Sequence, residues 1–341
     1  MWEVLIGNCV SGVDKFVGLC TDARIIIFGG TSRGLVFMMR LKPKHEWLQL
    51  ESMTRAGHFH RGVAAAIGPD RKRVVVELGR VPALKDFPPG ILPLMASFLG
   101  PEIVLLAGGT DRGERLPTVC SSLEDNVAWE CGFAVNPARQ FATATVVGDQ
   151  MLVCGGIWAN TFTALAKCKA FDPASNCWFD MPPMSTPRAA HCAAEWQGRT
   201  LVFGGDGEPP IASCESYDPT LLKWSALTPM KSGRSQAAAV VVPGSGILVM
   251  GGSGVGQKCL QTAELYDPAT NSWIAVPWML PEPVMSFSAH CHDSKLYIAG
   301  GWTNSGPTAD CWFLDLAIDS PAWTPLPPLP IPLCGMASVL V

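Results

Sequence analysis

The stretch from Thr270 to Gly301 carries Asn271-Ser272-Trp273, then Ser288-Ala289-His290, then Lys295-Leu296-Tyr297-Ile298-Ala299-Gly300-Gly301. It reads as an inner strand opened by a tryptophan, a short second strand, and an apolar third strand ending on a glycine pair. Just upstream, Glu264-Leu265-Tyr266-Asp267-Pro268 reads as an outer strand running into a turn, in which the Asp caps and the Pro presets φ. Copies of this cassette recur along the chain, so the period decides the fold rather than any single residue.

Glycine pairs that follow an apolar run begin at Gly108, Gly155, Gly204, Gly251 and Gly300, with gaps of 47 to 49 residues, and a further pair begins at Gly29. Between Gly29 and Gly108 a weaker copy, Val74-Val75-Val76-Glu77-Leu78-Gly79, has Leu78 where the first glycine belongs. Trp2, Trp129, Trp178, Trp224 and Trp273 lie 26 or 27 residues before their glycine pairs, so two unrelated markers keep one phase. A strand passing close to neighbouring backbone tolerates no Cβ, and glycine also permits φ > 0 where the chain leaves the strand. The tryptophan supplies a large apolar plate between sheets, and its N–H needs one partner.

These residues resemble the kelch repeat, whose blade is a four-stranded antiparallel sheet in a β-propeller. The resemblance covers nearly the whole chain. It is strongest from Arg139 to Gly301, where Phe171-Asp172-Pro173, Tyr217-Asp218-Pro219 and Tyr266-Asp267-Pro268 accompany the glycine pairs. It implies an all-β fold, one propeller domain over residues 1–341, with seven four-stranded blades and six as the alternative. Seven cassettes are read at residues 2–41, 47–79, 91–124, 129–172, 178–218, 224–267 and 273–316. The proline-rich segment 81–90 is too short for the usual outer strands and marks an irregular blade. Trp323 followed by residues 335–341 looks like the start of one more blade. Residues 1–20 and 321–341 therefore compete for ring closure, with the N-terminal strands expected in the ring.

With 341 residues, 48% of them apolar and 16% charged, the chain can bury a large core. A net charge of −4 gives no basic footprint for nucleic acid, and Arg71-Lys72-Arg73 reads as a solvated hairpin tip. No apolar run reaches membrane-spanning length, and the N-terminus has no secretory pattern. Several of the 13 cysteines, such as Cys154, Cys192 and Cys291, fall inside expected strands, and no Cys-x-x-Cys occurs. They read as small apolar thiols in a reducing setting, cytoplasmic or nuclear.

Arg61, Arg139, Arg188 and Arg234 lie 16 or 17 residues before Leu78, Gly155, Gly204 and Gly251, while Val284 holds this phase before Gly300. In kelch domains that act as substrate receptors this position points to the central mouth. The resemblance therefore implies a partner-binding set of Arg139, Arg188, Arg234 and Ser235, whose guanidinium forks suit an acidic or polar peptide. The alternative reading is that each arginine satisfies carbonyls in its own blade. Residues after the doublets, Thr110, Ile157 with Trp158, Asp206, Ser253 and Trp302, also face the mouth in such domains, and aromatic side chains there suit a protein interface.

His290-Cys291-His292 places both histidines on one strand face and Cys291 on the other, so the three cannot converge on a metal. No cofactor is expected. The function implied is protein–protein interaction, with a partner peptide or loop held at the mouth. Resemblance to kelch-like adaptors suggests substrate recognition for a cullin-type ubiquitin ligase, although no BTB, BACK or F-box segment is read in the chain. The alternative class is a kelch-like enzyme, either a sialic-acid isomerase or a copper radical oxidase. The latter would need ligand tyrosines, and Tyr217, Tyr266 and Tyr297 all sit in strand motifs.

Overall fold

A computed structural model describes residues 139–158, 163–172, 175 and 177–335 in full, together with the backbone of the strands named below outside those ranges. The regular pattern of the sequence becomes six four-stranded sheets among the described residues. From the centre outward, the third blade is Thr143–Val147, Gln150–Cys154, Cys168–Asp172 and Cys177–Met181. The fourth is Cys192–Trp196, Arg199–Phe203, Cys214–Asp218 and Lys223–Leu227. The fifth is Ala238–Val242, Gly246–Met250, Ala263–Asp267 and Ser272–Ala275. The sixth is Ser288–His292, Lys295–Ala299, Cys311–Asp315 and Trp323–Leu326.

The tryptophan-bearing strands are thus the outermost strands, each belonging to the blade before the one it was expected to open. The reason is local. Asp267 pairs with Ser272 across a tight turn, so the Tyr266 strand and the Trp273 strand form one hairpin. Asp267 Oδ1 accepts from the Ala269 N–H at 2.9 Å, and Asp218 Oδ1 accepts from Thr220 N–H at 2.9 Å, which is the capping expected of these aspartates. The outer tryptophans then reach across to the preceding blade. Trp224 Nε1 donates to Pro182 O, Trp273 Nε1 to Thr228 O and Trp323 Nε1 to Met279 O, at 2.7–2.8 Å. Trp323, read as the opening of a further blade, closes the sixth one.

The first two blades depart from the expected count of seven. Ala65–Ile67 and Arg73–Val76 share a sheet with Ile103–Leu106 and Val119–Ser122, so two expected cassettes contribute to one blade. Arg73–Val76 and Ile103–Leu106 run parallel. A parallel connection needs a dozen or more residues, and residues 77–102 supply that length. The irregular segment 81–90 lies outside the described residues. In the first blade Arg24–Gly29 pairs on one side with Val36–Arg40, which pairs with Trp47–Leu50, and on the other with Met336–Leu340. The C-terminal strand therefore holds the innermost place of the first blade, and Trp2 and residues 16–20, its expected rivals, lie outside the described residues. Each innermost strand packs beside the next, and Met336–Leu340 packs beside both Ser288–His292 and Ala65–Ile67, which closes the ring.

The apolar core lies between the blades. Phe203, Ile247, Val249 and Tyr266 join the fourth to the fifth, and Leu248, Met250, Leu296, Ile298 and Leu314 join the fifth to the sixth. Tilted aromatic pairs add to the packing between blades: Tyr217 with Trp224, in the cluster that joins the third blade to the fourth, and Tyr266 with Trp273, in the one that joins the fourth to the fifth, at centroid distances of 5.3 and 5.1 Å.

Candidate functional site at the propeller mouth

In antiparallel four-stranded blades, the connections from second to third strand and from fourth strand to the next blade emerge on one face. Here these are residues 155–167, 204–213, 251–262 and 300–310, alternating with 182–191, 228–237 and 276–287. Every candidate residue among the described ones falls on this face. The glycine pairs anchor it. Gly204 has φ of +67°, and a Cβ there would collide with the Arg234 carbonyl oxygen. Gly205 N–H donates to that same oxygen at 2.9 Å, and Gly156, Gly252 and Gly301 make the matching bond to Arg188, Val284 and Leu333. Each doublet therefore ties its blade to the next one.

The arginines serve the blades and not the opening. Arg139, Arg188 and Arg234 are at most 1% exposed. Arg139 Nη1 donates to Gly155 O and Lys167 O at 3.0 and 2.7 Å. Arg188 Nη1 donates to Gly204 O and Ser213 O at 2.7 Å, and its Nη2 donates to Glu215 Oε1 at 3.1 Å. Arg234 repeats the pattern with Gly251 O, Thr262 O and Glu264. The expectation of guanidinium forks turned toward an acidic peptide is thus corrected. The carbonyls at the doublet turns would otherwise be buried without donors, and the arginines satisfy them. Arg61 lies outside the described residues, as does the neighbourhood of Thr110 beyond its short strand.

The other candidates divide. Ser235 and Ser253 are buried and bond each other through their backbones, Ser253 N–H to Ser235 O at 2.6 Å and Ser235 N–H to Ser253 O at 3.0 Å. Ile157 and Trp158 are half-buried and pair with Gln140 and Arg139. Asp206 is exposed as a residue while its carboxyl is partly shielded from water, which raises its pKa, partly offset by a hydrogen bond from Ser235. Trp302 is 38% exposed, on a short ladder in which it pairs with Met285 and Pro307. Beside it, Cys259 Sγ donates to Trp302 O at 3.3 Å and Cys259 N–H to Asn304 Oδ1 at 3.2 Å, which joins the fifth-blade loop bearing Val255, 75% exposed, to the sixth-blade loop.

One element of the mouth has no sequence signature. Phe141, Ala190, Gln236 and Ser286 each sit two residues after the arginine phase with φ between 49° and 56°. Ala190 N–H donates to Phe141 O, Gln236 N–H to Ala190 O, Ser286 N–H to Gln236 O, and Gly335 N–H to Ser286 O, at 2.7–2.9 Å. Among the described residues a belt of main-chain bonds thus runs from the third blade to the sixth and on to Gly335.

Tyr217, Tyr266 and Tyr297 are all buried in strands, with Tyr266 Oη donating to Asn271 Oδ1 at 2.9 Å. Among the described residues no group of three or more His, Cys, Asp or Glu is placed to hold a metal ion. Also among them, no helix is long and apolar enough to cross a membrane.

Comparison with known proteins agrees with this geometry. The KLHDC2/KLHL20/DRC7 Kelch-repeats domain matches residues 190–340, and the Kelch motif matches residues 138–185. Kelch-like protein 33 of Homo sapiens is 27% identical over 189 residues, covering 54% of this chain and 32% of that protein. Kelch-like protein 40 of Mus musculus is 27% identical over 191 residues, covering 52% of this chain and 29% of that protein. The match therefore spans about a third of the length of these relatives. The solved structure of YjhT aligns with a TM-score of 0.56 at 16% identity, covering 65% of this chain and 80% of that one, which is a likeness of fold. The fold and its repeats define an all-β protein of the propeller class. The chain is a kelch-repeat protein.

Proposed function

We propose that the chain is a protein-interaction propeller that holds a segment of a partner protein on the loop face around Trp302. The observation that carries this reading is the division of labour on that face. Its repeated arginines are buried and donate to carbonyls inside the blades, while a large aromatic side chain that differs from its counterparts in the other copies stands exposed. Exposed aromatics on a rigid rim are the residues that anchor protein interfaces. Likeness to the kelch-like proteins supports partner binding. Substrate recognition for a cullin-type ubiquitin ligase is the narrower form of the reading, and it rests on resemblance to kelch-like adaptors alone. A cytoplasmic or nuclear location rests on cysteines that pack as core residues.

The test is co-purification from cell extract with the intact chain and with Trp302→Asp, checked for unchanged melting temperature. Proteins retained by the wild type and lost with the variant support the reading. A partner set that ignores Trp302 overturns it. A cullin in the wild-type set tests the narrower form.

A further inference from the structure

Cysteine heads the third strand in three blades, as Cys168, Cys214 and Cys311, and behaves alike in each. The thiol is 1% exposed and donates to the carbonyl two residues back, that of Ala166, Ala212 or Ala309, at 3.4–3.6 Å. That is a packing role. The third blade departs from the repeat at the position opposite. Where the fourth, fifth and sixth blades set Phe203, Met250 and Ala299 before the glycine pair, the third sets Cys154, directly across from Cys168. Among the described strands no other two cysteines face each other.

The register gives this pair a particular geometry. Gly155 N–H donates to Lys167 O at 3.2 Å, so those two residues form a hydrogen-bonded pair of the ladder. Cys154 and Cys168, one step below, are therefore a non-hydrogen-bonded pair. Residues opposed in that way have side chains on one face and Cα atoms about 4.5 Å apart, inside the span of about 4.4–6.8 Å that a disulfide bridges. Both thiols are 1% exposed, and both belong to the cluster that holds Tyr217 and Trp224 between the third and fourth blades. Tyr217 registers the two together, since its hydroxyl is raised by burial first and then by Cys168 and Cys154. The sulfurs thus point into one spot. Cys177 and Cys291 are the half-buried cysteines, and they face Asp172 and Leu296 instead.

We propose that Cys154 and Cys168 are a site of reversible oxidation, at which a disulfide fastens the foot of the mouth hairpin that carries Ile157 and Trp158. The hairpin rises directly from the pair, with Leu165 N–H donating to Gly156 O at 2.8 Å and Trp158 N–H to Thr163 O at 3.0 Å. Arg139 ties its two arms through Gly155 O and Lys167 O. Both thiols sit at strand ends, so a local opening of the hairpin admits a small oxidant such as hydrogen peroxide. One sulfur attacks a peroxide oxygen, the O–O bond breaks, and the hydroxide released takes the thiol proton and leaves as water. The second sulfur then attacks the sulfenic acid: an S–S bond forms, the S–O bond breaks, and the second proton leaves with that oxygen as water. Two thiols and one peroxide thus give one disulfide and two waters.

The experiment treats the intact, fully reduced chain with hydrogen peroxide, blocks the remaining thiols and digests with trypsin in the absence of reductant. Cleavage after Lys167 separates the two cysteines, so mass spectrometry reads a link as residues 140–167 joined to Cys168-Lys169. This link is expected to form before any other and to be undone by dithiothreitol, and the oxidised chain is expected to melt higher than the reduced one. Cys154→Ala, melted before and after peroxide, should lose that rise whatever the substitution does to the starting stability. Cys154 and Cys168 recovered as separate blocked peptides, at peroxide levels that have already oxidised Cys177 and Cys291, overturn the proposal. A link from either cysteine to a different partner also overturns it, as does a rise in melting temperature that Cys154→Ala retains.

Discussion

Arg188 Nη2 lies 3.1 Å from Glu215 Oε1, with both side chains at most 3% exposed. Glu215 also accepts from the backbone N–H groups of Ser185 and Thr186, so this one carboxylate holds the loop and its arginine together. Arg234 and Glu264 repeat the arrangement at 2.9 Å, with Lys231 N–H as the extra donor. The third blade has Lys169 at the glutamate position, paired instead with Asp180 at 2.8 Å. The sixth has Val284 and Trp312 in place of arginine and glutamate. The sixth blade thus lacks both members of the pair, whereas the third keeps its buried Arg139, which donates to the carbonyls of Gly155 and Lys167, with no glutamate opposite.

Arg188→Ala is expected to cost about 3–5 kcal/mol of folding stability, because it strands Glu215 and the carbonyls of Gly204 and Ser213. Arg188→Met with Glu215→Leu is expected to recover a large part of that loss, since the uncompensated charge is gone. Urea unfolding of the two single variants and the double variant measures the coupling. Additive losses would show that the pair is not a unit.

Gly204 and Gly198 both have positive φ, +67° and +79°, but only Gly204 faces neighbouring backbone, since a Cβ on Gly198 meets nothing within 4 Å. Gly198→Ala is expected to cost about 1 kcal/mol, the left-handed backbone penalty alone. Gly204→Ala adds a collision with the Arg234 carbonyl that must be relieved by parting two blades, for a total of about 3 kcal/mol or more. Equal shifts in melting temperature would contradict this account of the doublet.

Acid titration should weaken the fold before its carboxylates protonate. Burial, with the Arg188 charge beside it, lowers His191 to about 3, and burial lowers His290 to about 4, from an ordinary 6.5. Between those values the unfolded chain binds protons that the folded chain refuses, so stability is full above pH 6.5 and declines as pH falls. Each histidine contributes a slope of at most about 1.4 kcal/mol per pH unit. Asp218 and Asp267 have carboxyls held below 3.8 by their bonds to Thr220 and Thr270, so their stabilising effect is lost only at still lower pH. Urea unfolding between pH 5 and 6.5 should therefore show the loss. His191→Gln, which can keep a bond to Thr143 Oγ1, should flatten it by one histidine's share. An unchanged slope in the variant would remove His191 as a cause.

The repeat was legible because its markers are steric necessities. A glycine that meets a neighbour's carbonyl and a tryptophan that bridges two blades leave the same spacing in the copies that carry them. Strand order was less legible, since Trp273 stands 15 residues before Ser288 and only five after Pro268, and the shorter link decides which sheet it joins. The merger of two cassettes into one blade depends on which strands meet across residues 77–102, a long-range pairing that local spacing does not encode. At the mouth the same regularity misled, because the residues most alike between copies, the arginines, are the ones committed to the blades. The belt residues Phe141, Ala190, Gln236 and Ser286 share a backbone angle but no side-chain chemistry, so nothing in the alphabet marks them.

That belt separates the calibre of the opening from its chemistry. Its links are main-chain N–H and C=O groups, and its members already include an aromatic, a methyl, an amide and a hydroxyl side chain. From Phe141 to Gly335 the rim is therefore gauged by the backbone, like a gasket cut to one curve, whatever fittings are mounted on it. Loops on its rim can exchange residues and acquire a new binding preference while the ring beneath keeps its shape.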